Sequence, residues 1–217
     1  MAQIFKPSAN TYARLSIFGG LFLVLGSLWA LLTLNRSDYL TGARVQREQP
    51  VPFSHRHHAG ELGIDCRYCH TTVERASYAG IPPSAICMNC HSQIWADSPM
   101  LEPVRASYRS GRSIAWTKVH DLPDFVYFDH SIHIAKGIGC ASCHGRVDRM
   151  NLTWQESSLH MEWCLDCHRQ PERYVRPREE VFNMAWVSGG ASEDTLGAEL
   201  VERYHIESRD DCSICHR

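Results

Sequence analysis

No long basic stripe runs through this sequence: 22 lysines and arginines stand against 24 aspartates and glutamates, giving a formal charge of -2 and a pI near 6.7. A nucleic-acid partner calls for a concentrated positive face, so that class is excluded. No cysteine stands apart from a partner. All ten fall in pairs separated by two residues, a gap that suits metal binding or thioether attachment rather than a framework of separate disulfide bridges. None follows the apolar run near the N-terminus, so nothing there accepts a lipid. That run, Leu15 to Leu34, itself contains no charge.

What the cysteines do form is one pattern repeated five times: Cys66-Arg-Tyr-Cys69-His70, Cys87-Met-Asn-Cys90-His91, Cys140-Ala-Ser-Cys143-His144, Cys164-Leu-Asp-Cys167-His168 and Cys212-Ser-Ile-Cys215-His216. Thiolate pairs also make zinc sites. Histidine is only 13 of 217 residues, however, and its chance occurrence after all five pairs has a likelihood of roughly one in a million. In Cys-x-x-Cys-His the two thiols add across the haem vinyl groups and the histidine reaches the iron as proximal ligand. The cofactor reading is therefore five haem c, held covalently by the ten cysteines and proximally by His70, His91, His144, His168 and His216. The haem-bearing part has roughly 33 residues per haem, too few for a core of regular helices and sheets. Short helices and irregular segments around a haem stack are expected, with little or no sheet.

Leu15 to Leu34 is long enough to cross a hydrocarbon layer of about 30 Å at about 1.5 Å per residue. A cleaved signal peptide normally has a shorter apolar region and a small-x-small cleavage site; here the run is full length and continues into Asn35-Arg36. Residues 1–36 are read as a cytoplasmic N-terminus and an uncleaved, single-pass signal anchor in the inner (cytoplasmic) membrane. Haem attachment to such motifs takes place outside the cytoplasm, so the haem domain is placed on the periplasmic side. Arg36, Arg44 and Arg47 after the run outnumber Lys6 and Arg14 before it, which opposes that orientation; the haem chemistry overrules the bias.

Residues 37–52, ending in Pro50-Val-Pro52, read as an extended linker, and 53–217 as the haem domain. Intervals between motifs alternate short, long, short, long, and an internal repeat underlies them. Phe53-Ser-His55-Arg-His57-His58 ahead of Gly63-Ile64-Asp65-Cys66 parallels Phe128-Asp-His130-Ser-Ile-His133 ahead of Gly137-Ile138-Gly139-Cys140, with one residue of length difference. Two two-haem modules follow, near 53–91 and 128–168, with the fifth haem appended at 212–216.

Eight further histidines are available for the distal positions. In an i, i+3 pair, one imidazole can serve the haem that follows and the other a neighbouring haem. His55, His58, His130 and His133 are assigned on that basis, with His120 as the fifth. Weaker candidates are His160 and Met161, just before the fourth motif, then His57, His205, Met150 and Met100. A methionine ligand would raise a haem's potential. Iron with two protein ligands leaves no place for substrate, which favours electron transfer over catalysis.

The Phe-x-His-x-x-His lead into Cys-x-x-Cys-His resembles the small class III cytochromes of the c3 and c7 type, in which those histidines are distal ligands to different haems. A closer likeness spans nearly the whole chain: the N-terminal helix, FSHRHHAGELGIDCRYCH, WTKVHDLPDFVYFDHSIHIAKGIGCASCHG and LHMEWCLDCHR. Together these resemble the pentahaem subunit of alternative complex III. The resemblance implies electron transfer inside a menaquinol-oxidising assembly. Its expected partners are polytopic quinol-binding subunits, an iron-sulfur subunit, a monohaem cytochrome c subunit and a terminal oxidase. Such a chain is an electron-transfer subunit and not catalytic alone. The competing reading is a self-contained quinol dehydrogenase, which would need a base such as Asp38 or Glu48 at the membrane surface.

Overall fold

The structure is a computed structural model describing residues 4–187 and 193–216. The chain divides into two compact units, Met1–Gly42 and Ala43–Arg217. In the first, helix α1 (Ser8–Asn35) has 28 residues, a length of about 42 Å. Its mean hydropathy of 2.2 makes it long and apolar enough to cross a membrane. None of its side chains is buried, as suits a helix apolar on every face. One short turn, α2 (Asp38–Thr41), follows and ends at Gly42 with φ of 68°.

The second unit is built of α3 (Cys66–Cys69), α4 (Ser84–His91), α5 (Glu102–Ser110), α6 (His130–Ala135), α7 (Cys140–His144), α8 (Met161–Arg169), α9 (Glu193–Arg203) and α10 (Cys212–Cys215), joined by 3-10 turns and irregular segments. The pairings Val126 with His216 and Ile138 with Val175 are isolated bridges, and no strand forms among the described residues. The motif density predicts this scarcity of regular structure. Among the described residues, side chains supply two small apolar clusters. Ile138, Val175, Leu200 and Tyr204 pack beside Cys143 and Cys167; Val51, Leu101 and Val104 pack beside Cys87 and Met88.

The segment 37–52 differs from a free linker. From Ala43 onward it belongs to the second unit, with Ala43 and Val51 buried. The Arg44 amide donates to the Gln155 carbonyl at 2.7 Å. Gln49 and Thr117 exchange two bonds of 2.9 Å, and the Thr117 hydroxyl donates to the Glu48 carbonyl at 2.9 Å. Pro50 and Pro52 hold the chain extended, and an extended segment must pair its backbone polar groups wherever it is covered.

The one-residue difference between the two repeats has a local consequence. In the second copy, His130 and His133 sit on an α-helix capped by Asp129, whose carboxylate accepts from the Ser131 amide at 2.8 Å. In the first copy the extra residue is absorbed by a π-helical turn, Arg56–Glu61, with the Leu62 amide donating to the His57 carbonyl at 3.0 Å. Single π turns of this kind accommodate an insertion without displacing the flanking side chains.

Candidate metal centres

Each Cys-x-x-Cys pair occupies one helical turn, in α3, α4, α7, α8 and α10. Residues three apart on such a turn share a face, so both sulfurs of a pair face the same side. The turns are individually secured. Asp65 caps α3 by accepting from the Arg67 amide at 2.8 Å, and the Arg67 guanidinium holds the Asp65 carboxyl down at about 2. None of the ten cysteines is in a disulfide.

The histidines are arranged in facing pairs. His55 faces His70 with ring centres 6.4 Å apart and planes at 4°; His130 faces His144 at 6.3 Å and 8°. His58 faces His91 at 6.2 Å and 64°; His133 faces His168 at 6.1 Å and 67°. An imidazole nitrogen binds a transition metal at roughly 2 Å and its ring centre lies roughly 1.2 Å further back, so two rings trans on one metal stand roughly 6.3 Å apart. All four spacings fit one iron between each pair. The two repeats reproduce each other: Phe53 stacks on His58 at 4.4 Å and meets His55 edge-on at 4.9 Å, as Phe128 does with His133 at 4.5 Å and His130 at 4.8 Å.

A ligating imidazole needs its second nitrogen fixed, since that bond sets tautomer and orientation. His70 Nδ1 points to the Gly80 carbonyl at 2.7 Å and His91 Nδ1 to the Ile94 carbonyl at 2.9 Å. His58 Nδ1 reaches the Ser54 carbonyl at 2.9 Å, His133 Nδ1 the Asp129 carbonyl at 2.6 Å, and His216 Nδ1 the Phe125 carbonyl at 3.1 Å. His130 Nδ1 reaches the Ser77 carbonyl at 2.7 Å and His55 Nδ1 the Thr153 hydroxyl at 2.9 Å. With the proton on Nδ1, Nε2 presents its lone pair. Gly80 turns its carbonyl toward His70 at a φ of 82°, a conformation glycine adopts without strain.

Burial disfavours protonation of three of these rings. It pushes the His144 imidazole down to about 3, with His120, His130, His70 and His55 adding to the effect. It brings His55 to about 4, with help from His70 and His58, and lowers His133.

His120 stands elsewhere than opposite His216. Its Nε2 lies 3.1 Å from Nδ1 of His144, so the nitrogen that would bind iron is engaged by a proximal ring. The first repeat has no counterpart of this residue ahead of Phe53, the one sign in the sequence that its role differs. His216 has Phe125 beside it at 5.7 Å and, among the described residues, no facing histidine ring. Of the weaker candidates, His57 is exposed and bonded through Nδ1 to Glu61 at 3.0 Å. His205 is exposed at a φ of 53°, and half-buried His160 precedes α8 with its amide donating to the Ser158 hydroxyl at 3.2 Å. Met161 and Met100 are exposed, whereas Met150 is packed in the interior.

Sequence reasoning missed Thr153 and the Ser77, Gly80 and Ile94 carbonyls, because backbone acceptors leave no residue signature. It also missed Arg176, which is buried, donates to Ser142 Oγ at 3.2 Å and to the Asn183 carbonyl at 3.3 Å, and lies over the Trp186 ring at 4.8 Å.

Comparison with known proteins gives two matches. Residues 126–217 match the family of cytochrome c7 and related cytochrome c. The chain is also 30% identical over 181 residues to the menaquinone reductase multihaem cytochrome c subunit of Nitratidesulfovibrio vulgaris (strain Hildenborough), covering 79% of this chain and 78% of the relative.

Proposed function

This chain belongs to the multihaem c-type cytochromes related to cytochrome c7, and on that premise we propose that it is the membrane-anchored electron-transfer subunit of a menaquinone-linked respiratory complex. It holds five haem c, one on each Cys-x-x-Cys-His turn. Bound haem supplies a one-electron ferric/ferrous couple. The observation that carries the reading is the set of four facing histidine pairs at 6.1–6.4 Å: each pair would hold a haem iron between two imidazoles and would leave substrate no open site there. The chain's own residues fix the rings and cover them. Helix α1 anchors the chain in the inner membrane, with the haem unit on the periplasmic side, where such haems are attached.

The finer reading is alternative complex III: menaquinol oxidised in polytopic subunits, an iron-sulfur subunit alongside, and a monohaem cytochrome or terminal oxidase as acceptor. The relative's name favours a second direction, in which a complex reduces menaquinone with electrons arriving through the haem subunit. Mildly solubilised membranes run on a native gel, stained for haem and cut for mass spectrometry, will place this chain in one large band with polytopic and iron-sulfur subunits. Haem reduction by a menaquinol analogue in that band favours alternative complex III; menaquinone reduction by the pre-reduced band favours the second direction. A haem band at the mass of the chain alone, reducible by quinol, would make it a self-contained dehydrogenase.

His120 is a positioning residue in this reading. If His144 Nε2 holds iron, Nδ1 would carry the proton and donate to His120 Nε2 3.1 Å away, and burial disfavours protonation of His120. Donation makes a ligating imidazole more basic and favours ferric iron. In His120→Ala the loss of a bond worth about 1 kcal/mol will raise one haem potential by on the order of 40 mV. Spectropotentiometric titration of protein with unchanged haem content reads this, and five unmoved potentials would show that the contact is only packing.

A further inference from the structure

The contacts between the five attachment turns carry an order that is not the order of the sequence. Numbering the sites by motif, sites one and two are neighbours. The Asn89 side-chain amide inside the second motif donates to the Tyr68 hydroxyl inside the first at 2.9 Å, and Phe53 lies between the distal rings of both. Sites three and four are neighbours in the same way, with Phe128 between His130 and His133.

The two modules then interlock through sites one and three, and reciprocally. The distal ring of site one, His55, is held by Thr153 from the segment after the third motif. The distal ring of site three, His130, is held by the Ser77 carbonyl from the segment after the first. Around this exchange the Arg56 amide donates to the Met150 carbonyl at 3.0 Å. Gly60 also lies so close to Asp148 that a Cβ there would stand 2.2 Å from the Asp148 carbonyl oxygen.

Site five attaches to the second module. The Ser208 hydroxyl donates to the carbonyl of His168 at 3.0 Å, and Arg169 pairs with Asp210 at 3.3 Å, which joins the approach to α10 to the fourth site. The Tyr127 amide donates to the Cys215 carbonyl at 2.8 Å, tying α10 to the lead-in of the second repeat. Of the ten cysteines only Cys90 and Cys212 are exposed, and they belong to sites two and five.

We infer that the five sites form one unbranched row in the order second, first, third, fourth, fifth, with electrons crossing between modules at sites one and three and exchanging with partners at sites two and five. This rests on the electron-transfer reading above. One electron enters at one terminal site for each that leaves at the other, so no proton or further reagent is needed. Site two is a terminus although it lies second in sequence.

The test is the full chain in its native complex carrying Cys87→Ala and Cys90→Ala, which removes the second attachment. Pulse radiolysis delivers one electron per molecule while the haem spectrum is followed. If site two is terminal, the electron distributes over the four remaining haems in one phase, as fast as in the parent. If the row followed the sequence, loss of site two would sever site one, and one haem of four would equilibrate at least a hundredfold more slowly; that result overturns the order. Should the variant not assemble, iron positions in a cryo-electron microscopy map of the unaltered complex decide the matter. Iron one nearer to iron three than iron two is supports the row, and iron two nearer overturns it. A complex with the inferred spacing that exchanges no electrons with quinone would refute the functional reading and leave the order standing.

Discussion

His130→Ala is expected to bind one more carbon monoxide per chain than the parent when reduced, since the parent's four facing pairs offer no open site. His130 and His144 stand 6.3 Å apart with nearly parallel rings, and removal of His130 leaves His144 as the sole protein ligand to that iron. His120 does not replace it, because its Nε2 is held at the back of the same proximal ring. One high-spin ferric signal will appear beside the low-spin signals, and the reduced-minus-oxidised spectrum will keep its five-haem intensity. Loss of an axial donor raises the potential of a site in the middle of the row. A trap only about 1.4 kcal/mol deep there slows onward transfer roughly tenfold, so turnover of the assembled complex should fall by at least that factor. Magnetic circular dichroism and carbon monoxide difference spectra provide the check; no gain in high-spin signal over the parent would mean that another side chain is the distal ligand at this site.

Gly60→Ala is the second large effect, and it acts on the junction between modules. A Cβ at residue 60 would stand 2.2 Å from the Asp148 carbonyl oxygen, closer than any relaxed contact, and the obstacle is backbone rather than a movable side chain tip. Overpacking of this kind typically costs about 1–3 kcal/mol. That corresponds to a fall in Tm of several degrees, since about 1 kcal/mol shifts a domain of 150–250 residues by roughly 2–4 °C. The π turn carrying Gly60 also carries His57 and His58, and the bonds from His55 to Thr153 and from His130 to Ser77 lie across the same seam. The variant should therefore keep its haems and its low-spin spectrum while electron exchange between the two modules slows. Thermal unfolding together with pulse radiolysis separates the two effects. Unchanged stability and unchanged exchange would mean that the seam yields without consequence.

Neither effect is visible in the composition, yet both variants sit inside motifs the sequence displays. The Phe-x-His-x-x-His repeat picks out His55, His58, His130 and His133, and the structure sets each against a proximal ring. The repeat also contains the reason for a π turn in one copy and an α-helix in the other, a single extra residue. His120 shows where such reading stops. It is an unmatched histidine among five motifs, and no pattern along the chain shows that its Nε2 lies 3.1 Å from His144 Nδ1. The stretch after Gly42 is similar: its prolines mark extended chain, but its pairing with Thr117 and Gln155 is decided by segments far away in sequence.

By itself the sequence determined the five Cys-x-x-Cys-His turns, the apolar N-terminal helix, the scarcity of sheet and the two-fold repeat. Each of these is local chemistry, set by residues within one or two turns of one another. The tertiary structure alone decided the acceptors behind the imidazoles, the contact of His120 with His144 and the bonds from His55 to Thr153 and from His130 to Ser77. Those depend on backbone carbonyls and on contacts between distant segments, which have no pattern along the chain until folding brings them within a hydrogen bond's length.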